Sequence, residues 1–189
     1  MRSAHAQVAA IAAATKRDRL LIAARRGEPM DEPADQLAAL LDAGRALEEA
    51  GVPYALIGGV AVGIHSGAPR ATEDIDIAVT ASLSRGAVIE ALTAAGFELE
   101  GEFPHSLNLR HAGGERVQLA IDPWFDEMIE RAETVTVGPA SIRLVSRNDL
   151  IAMKERSSSD PARRPSKALR DRADVALLRG DVEGPDEGW

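Results

Sequence analysis

Asp74 and Asp76 are the residues of this chain whose type and spacing point most directly to chemistry. They lie two apart in the run Glu73-Asp74-Ile75-Asp76-Ile77-Ala78-Val79, which reads as a strand with apolar residues at every second position. Residues i and i+2 of a strand share a face, so the two carboxylates project together while Ile75, Ile77 and Val79 project to the other side. Glu73 falls with the isoleucines. Two carboxylates held side by side repel unless a cation lies between them. Hard oxygen ligands in this number suit Mg²⁺ (or Mn²⁺), which is usually held by one or two carboxylates plus substrate phosphates. Upstream, residues 54–58 read as a short buried strand, and the Gly58-Gly59 pair at its end opens a helix. Such a turn leaves space for a phosphate to reach backbone N–H groups. Arg70 and Thr72, just before the acidic pair, are candidates for contact with a nucleotide. A phosphate cradle beside a pair of metal-binding carboxylates is the minimum equipment for phosphoryl or nucleotidyl transfer.

Several elements must position those residues. Leu37, Leu40, Leu41 and Leu47 mark one face of a helix that Gly51 and Pro53 end. Ser84 can cap a helix carrying Val88, Ile89 and Leu92, closed at Gly96. Residues 97–103 and 107–110 alternate as an antiparallel pair, and a Gly113-Gly114 turn leads to a strand over 116–121. Residues 123–133 read as helical. Residues 134–137 and 141–145 form a hairpin about Gly138-Pro139. Ser146 and Asp149 have capping-box spacing ahead of a helix through Lys154. Residues 157–166 read as a polar loop, Ser166 as the cap of a last helix over 167–179, and 181–189 as a flexible tail. Residues 1–34, Ala-rich and then broken by a Pro- and acid-rich run, read as an extension: a marginal helix or a poorly ordered segment. The domain is expected over 35–180.

Gly-Gly, a short helix and Asp-x-Asp, here GGVAVGIHSGAPRATEDIDI, resemble the opening of the nucleotidyltransferase superfamily. The version in this chain is most similar to the AbiEii-like (MenT-type) toxins. The resemblance continues through RLVSRNDLIAMK and SKALRDRADVALL, and covers roughly residues 37–178. It implies an α/β (α+β) fold, a small mixed sheet with flanking helices and C-terminal helices. It implies nucleotidyl transfer from a nucleoside triphosphate, with Lys154 on phosphate and Asp171 or Asp174 helping to set the site. It also implies an RNA or protein acceptor, and an antitoxin protein as partner. Relatives add a third carboxylate from a neighbouring strand. Gln118 of Arg116-Val117-Gln118-Leu119 stands where that Asp is expected. Asp122 shares the strand face of Gln118, but four residues of strand span about 13 Å. Asp122 is better read as a helix N-cap before Pro123.

Composition narrows the alternatives. The chain has 189 residues and a net charge of −8, which disfavours broad, non-specific binding of nucleic acid. The C-terminal third is locally basic, with Lys154, Arg163, Arg164, Lys167, Arg170 and Arg172. The absence of cysteine excludes disulfides and thiolate chemistry, and fits a cytoplasmic protein. The histidines lack zinc-site spacing, and no stretch approaches a membrane span. An antibiotic nucleotidyltransferase of the aminoglycoside or lincosamide type is the second reading. An aromatic content of 3% argues against a stacking drug pocket in such an enzyme. A non-catalytic nucleotide- or partner-binding protein, motivated by Gln118, is the third.

Overall fold

A computed structural model describes residues 3–27 and 35–181. All but the first residue of the Pro- and acid-rich break expected at 27–34, and nearly all of the expected tail, lie outside the described residues. The centre is one mixed sheet of seven strands in the order β3-β4-β5-β2-β1-β7-β6. The strands are β1 (Tyr54–Ile57), β2 (Ile75–Val79), β3 (Phe97–Phe103), β4 (Ser106–His111), β5 (Arg116–Ile121), β6 (Glu133–Val137) and β7 (Ala140–Leu144). The helices are α1 (Ala4–Arg26), α2 (Gln36–Glu49), α3 (Gly58–Ser66), α4 (Arg85–Ala94), α5 (Asp126–Glu130), α6 (Arg147–Ser159) and α7 (Pro165–Leu178). The sheet is the mixed one expected, with the hairpins β3–β4 and β6–β7 at its two edges.

β2 lies at the middle, antiparallel to β1 and parallel to β5. Its register fixes the site: Asp76 stands opposite Ile57 on one side and Gln118 on the other, and Gln118 stands opposite Asn108 of β4. One face of these strands therefore carries a polar row of Asp76, Gln118 and Asn108. The other buries Ile75, Ile77, Leu107, Leu109, Val117 and Leu119 completely or nearly so. That alternation is what a sheet with one face in the core requires, and a slip by one residue would turn the carboxylate inward.

The ends of the helices follow local chemistry. Asp35 and Ser84 accept hydrogen bonds from the Ala38 and Ala87 amides. Ser146 accepts from the Asp149 amide and donates to its carboxylate at 2.7 Å, capping α6. α6 continues through Ser159, so Ser157–Ser159 is helical rather than part of the expected loop. α7 opens at Pro165, one residue before the expected Ser166 cap, since proline suits a first turn that needs no N–H partner. Residues 123–133 are not one helix: a 3₁₀ turn (Pro123–Phe125) precedes the short α5.

The largest departure is at the N-terminus. Ala4–Arg26 is a helix of 23 residues, and its Val8 and Ile11 are fully buried in the main core. Its apolar positions are mostly alanine, so its stripe is faint in sequence, and packing rather than propensity secures it. Among the described residues no helix is long and apolar enough to cross a membrane.

Leu119, fully buried at the centre of β5, has no room to be replaced without leaving a cavity. Leu119→Ala should cost about 2–5 kcal/mol in denaturant unfolding; a loss below about 1 kcal/mol would show that β5 is not central to the core.

Candidate active site

Asp74 ends the loop before β2, and Asp76 is the second residue of the strand. The turn between β1 and α3 is built around Asp76. Gly58 has φ +69°, and a Cβ placed on it would lie 1.9 Å from Asp76 Oδ2. Glycine is thus required twice over, for a left-handed backbone and for the carboxylate that fills the space. The Gly59 amide donates to that carboxylate. The expected phosphate approach at Gly58 is therefore occupied by Asp76 itself, and the turn's immediate role is to hold a ligand group.

Asp74, Asp76 and Gln118 line one small recess of about 190 Å³, together with Gly59, Arg70, Thr72, Lys154, Arg163, Lys167, Arg170 and Asp171. Burial and the neighbouring Asp74 charge push the Asp76 carboxyl up to about 6, against the opposing pull of Lys154, Lys167 and the Gly59 amide. Burial, then Glu73, raises Asp74, partly offset by Lys167, Arg116 and Arg170. The two acids resist joint ionisation, which is the state a divalent cation relieves.

The cationic wall is cross-linked. Asp171 is 2% exposed and accepts from Lys154 Nζ at 3.0 Å, Ser157 Oγ at 3.0 Å, and Arg163 Nε and Nη2 at 3.0 and 2.8 Å. Burial would raise its carboxyl, but these donors hold it below the usual range. Asp174, 1% exposed, takes Lys154 Nζ at 2.9 Å and the forked guanidinium of Arg70 at 2.7 and 2.9 Å. Lys154 is thus no surface lysine: its side chain is 15% exposed and bridges two buried acids. Arg70 orients Asp174, not Asp74. Among the described residues, Lys167 and Arg170 make no ion pair and stand exposed at the rim.

Gln118 donates its Nε2 to Asn108 Oδ1 at 3.1 Å, which leaves its amide oxygen as the group available to the recess. Asp122 caps the 3₁₀ turn, accepting from the Trp124 amide at 2.9 Å. It lines a different recess of about 750 Å³, shared with Gly58, Trp124, Phe125, Met153 and Lys154. Arg156 lies over the Trp124 ring there, 4.5 Å from its centroid. The two recesses meet at Lys154, Arg163 and Asp171. Thr72 is buried, and its hydroxyl donates to the Asp74 carbonyl rather than facing outward. His65 bonds the Val145 carbonyl at 2.7 Å; burial lowers its basicity.

Sequence reasoning missed Thr15, Arg19, Gln36, Asn108 and Glu115. Their partners lie 10 to 96 residues away in the chain, and nothing local marks them.

A family model described as "Nucleotidyl transferase AbiEii toxin, Type IV TA system" matches residues 39–187. The chain belongs to this AbiEii family. It is accordingly a nucleotidyltransferase. Solved structures agree on the fold. A nucleotidyltransferase-like antigenic protein from Paracoccidioides brasiliensis is 23% identical, with a TM-score of 0.53 over 82% of this chain and 81% of that one. The lincosamide adenylyltransferase LnuA, lincomycin-bound, is 17% identical, with a TM-score of 0.57 over 80% and 100%. ANT(2")-Ia, in complex with adenylyl-2"-tobramycin, is 18% identical, with a TM-score of 0.56 over 77% and 90%. A comparison with curated proteins found no match.

The carboxylate pair gives this AbiEii-family chain a pH signature. A carboxyl raised to about 6 on folding contributes stability below its unfolded value near 4, and that contribution is lost as pH rises through 6. Asp76→Asn removes the loss and keeps an oxygen for the Gly59 amide. In chelator, the variant should therefore gain stability over wild type between pH 5 and pH 8, by about 1 kcal/mol or more in urea unfolding. A difference that does not change with pH would refute the strained pair.

Proposed function

We propose that this nucleotidyltransferase moves a nucleoside monophosphate from a nucleoside triphosphate to an RNA acceptor, with Mg²⁺ or Mn²⁺, as the toxin of a toxin–antitoxin pair. The observation that carries the reading is a strained carboxylate pair in a recess walled by Lys154, Arg163, Lys167 and Arg170.

The donor set fits a hard divalent cation: Asp74 and Asp76 would hold it, with the Gln118 amide oxygen as a weaker third ligand. When bound, such an ion neutralises phosphate charge and polarises the phosphoryl group. The chain's own residues do the positioning. Gly59 fixes Asp76, Lys154 and Arg163 stand where the two recesses meet, and Lys167 and Arg170 are free to meet the β- and γ-phosphates. In the reaction an acceptor hydroxyl gives up its proton to solvent as its oxygen bonds to the α-phosphorus, and the bond from that phosphorus to the bridging oxygen breaks to release pyrophosphate. Catalysis of this kind rests on orientation and charge stabilisation more than on covalent chemistry. The larger recess, with Trp124, Phe125 and Met153, offers apolar walls for a base.

An RNA acceptor is favoured by the basic rim of α7. A protein acceptor and an antibiotic, as in the lincomycin- and tobramycin-associated enzymes, are the alternatives. Nucleotide binding without transfer is the other reading, and Gln118 favours it.

Incubation with each labelled triphosphate, Mg²⁺ and total RNA should put label on RNA, and Asp74→Asn/Asp76→Asn should abolish it; label on protein or on neither would overturn the RNA reading. Because Lys154 neutralises two buried acids, Lys154→Ala should destabilise the fold by several kcal/mol, so the phosphate contacts are better tested at the rim. Lys167→Ala and Arg170→Ala should each weaken triphosphate binding roughly tenfold with little change in melting temperature; unchanged affinity would move the phosphates elsewhere. Gln118→Asp should tighten Mg²⁺ binding, and no effect would show that the position takes no part.

A further inference from the structure

α1 lies before the stretch that matches the family, yet it reaches the loop on which the carboxylate pair depends. The lead-in to β2, Thr72-Glu73-Asp74, forms no regular structure. Its backbone is held by side chains instead. The Thr72 amide donates to Thr15 Oγ1 at 3.1 Å, and the Thr15 hydroxyl donates to Gln36 Oε1 at 3.4 Å. Gln36 Nε2 donates to Thr72 Oγ1 at 2.9 Å, and the Thr72 hydroxyl donates to the Asp74 carbonyl at 3.1 Å. Each hydroxyl donates once and accepts once, so the bonds run as one continuous chain. One turn further along α1, Arg19 Nη2 donates to the Glu73 carbonyl at 3.0 Å and forks onto Glu115 at 2.8 and 3.0 Å. Glu115 is fully buried.

Two residues of the lead-in, Thr72 and Glu73, are thus tied by α1 and the first residue of α2, and the Thr72 hydroxyl carries the tie on to the Asp74 carbonyl. We propose that α1 is a strap that sets the position of Asp74 and Asp76 for metal binding, with Thr15 and Arg19 as positioning residues. The proposal rests on reading those two acids as metal ligands.

Packing alone does not explain this arrangement. Val8 and Ile11 already seat the helix, and Gly63 of α3 is shaped to receive it: a Cβ there would lie 2.6 Å from Ile11 Cδ1. Thr15 and Gln36 continue the same contact with polar groups that are 3% and 1% exposed. A buried polar group is costly unless its bonds are made, and here the bonds all converge on one short segment. That segment is also where opening would relieve the repulsion of the two acids. Tying its amide and carbonyls keeps them together when no cation does.

The test is titration of the full chain with Mn²⁺ alone, followed by electron paramagnetic resonance. Arg19→Ala would leave Glu115 buried and unpaired, so it is combined with Glu115→Gln. Thr15→Val keeps the shape of Thr15 without the hydroxyl; Thr15→Ser keeps the hydroxyl. Val8→Ala loosens the packing of α1 without touching the lead-in. Thr15→Val and Arg19→Ala/Glu115→Gln should weaken Mn²⁺ binding about tenfold or more, as loss of groups that orient ligands does. Thr15→Ser should bind like wild type, and Val8→Ala should lower the melting temperature while keeping its affinity. Wild-type affinity in both strap variants would overturn the proposal, as would an equal loss in Val8→Ala. Asp74→Asn/Asp76→Asn separates the two readings. If that variant loses Mn²⁺ while the strap variants keep it, the metal site stands and the strap fails. If wild type binds no Mn²⁺, or the Asn variant binds it equally, the metal reading falls and the strap's role falls with it.

Discussion

The repulsion between Asp74 and Asp76 is the constraint around which this molecule is arranged. Placing two acids at i and i+2 on a central strand puts them on one face, half out of water, where neither ionises freely beside the other. Strand register points them away from the core. The Gly58 turn accommodates one of them by lacking a side chain, and the Gly59 amide offers it a donor. Cations from α6, α7 and the loop between them supply opposing charge. No single contact suffices. The sheet, the turn, the helices and the N-terminal strap each supply part of what keeps the pair together.

The ion network behind the recess serves geometry more than stability. Asp171 and Asp174 are almost wholly buried, and taking charges out of water offsets much of what the pairs gain. What the network secures is orientation. Lys154 on α6, Arg70 before β2 and Arg163 between the last helices meet on two carboxylates of α7. The C-terminal helices are thereby fixed against the loop that carries the acidic pair, and the free cations, Lys167 and Arg170, come to stand at its rim.

Much of the fold was legible because its signals are local and periodic. The strands over 54–57, 75–79 and 116–121, the Ser84 and Ser146 caps and the Asp122 cap before Pro123 all follow from residue spacing. Gln118 stands opposite Asp76, on the neighbouring strand where the resemblance implied a further ligand position. What sequence could not show were long-range polar partners. Arg19 finds Glu115 across 96 residues, and Arg70 finds Asp174 across 104. For α1 the sequence left a marginal helix and a poorly ordered segment both open, for a related reason. Its buried face is mostly alanine with Val8 and Ile11, too faint a stripe to separate from a poorly ordered segment. Lys154 is expected on phosphate, and its place between two buried acids is a further long-range pairing that charge alone does not reveal.

The central claim is that Asp74 and Asp76 together hold a divalent cation against the phosphates of a nucleoside triphosphate. Crystals of the full chain grown with Mn²⁺ and a non-hydrolysable triphosphate test it directly, because Mn²⁺ is located by its anomalous signal. The expected result is an anomalous peak within coordination distance of both carboxylates, about 2.0–2.3 Å, with phosphate oxygens completing the shell and Lys167 and Arg170 on the outer phosphates. A triphosphate bound without metal at the acidic pair, or a peak that leaves Asp76 bonded only to Gly59, would contradict it.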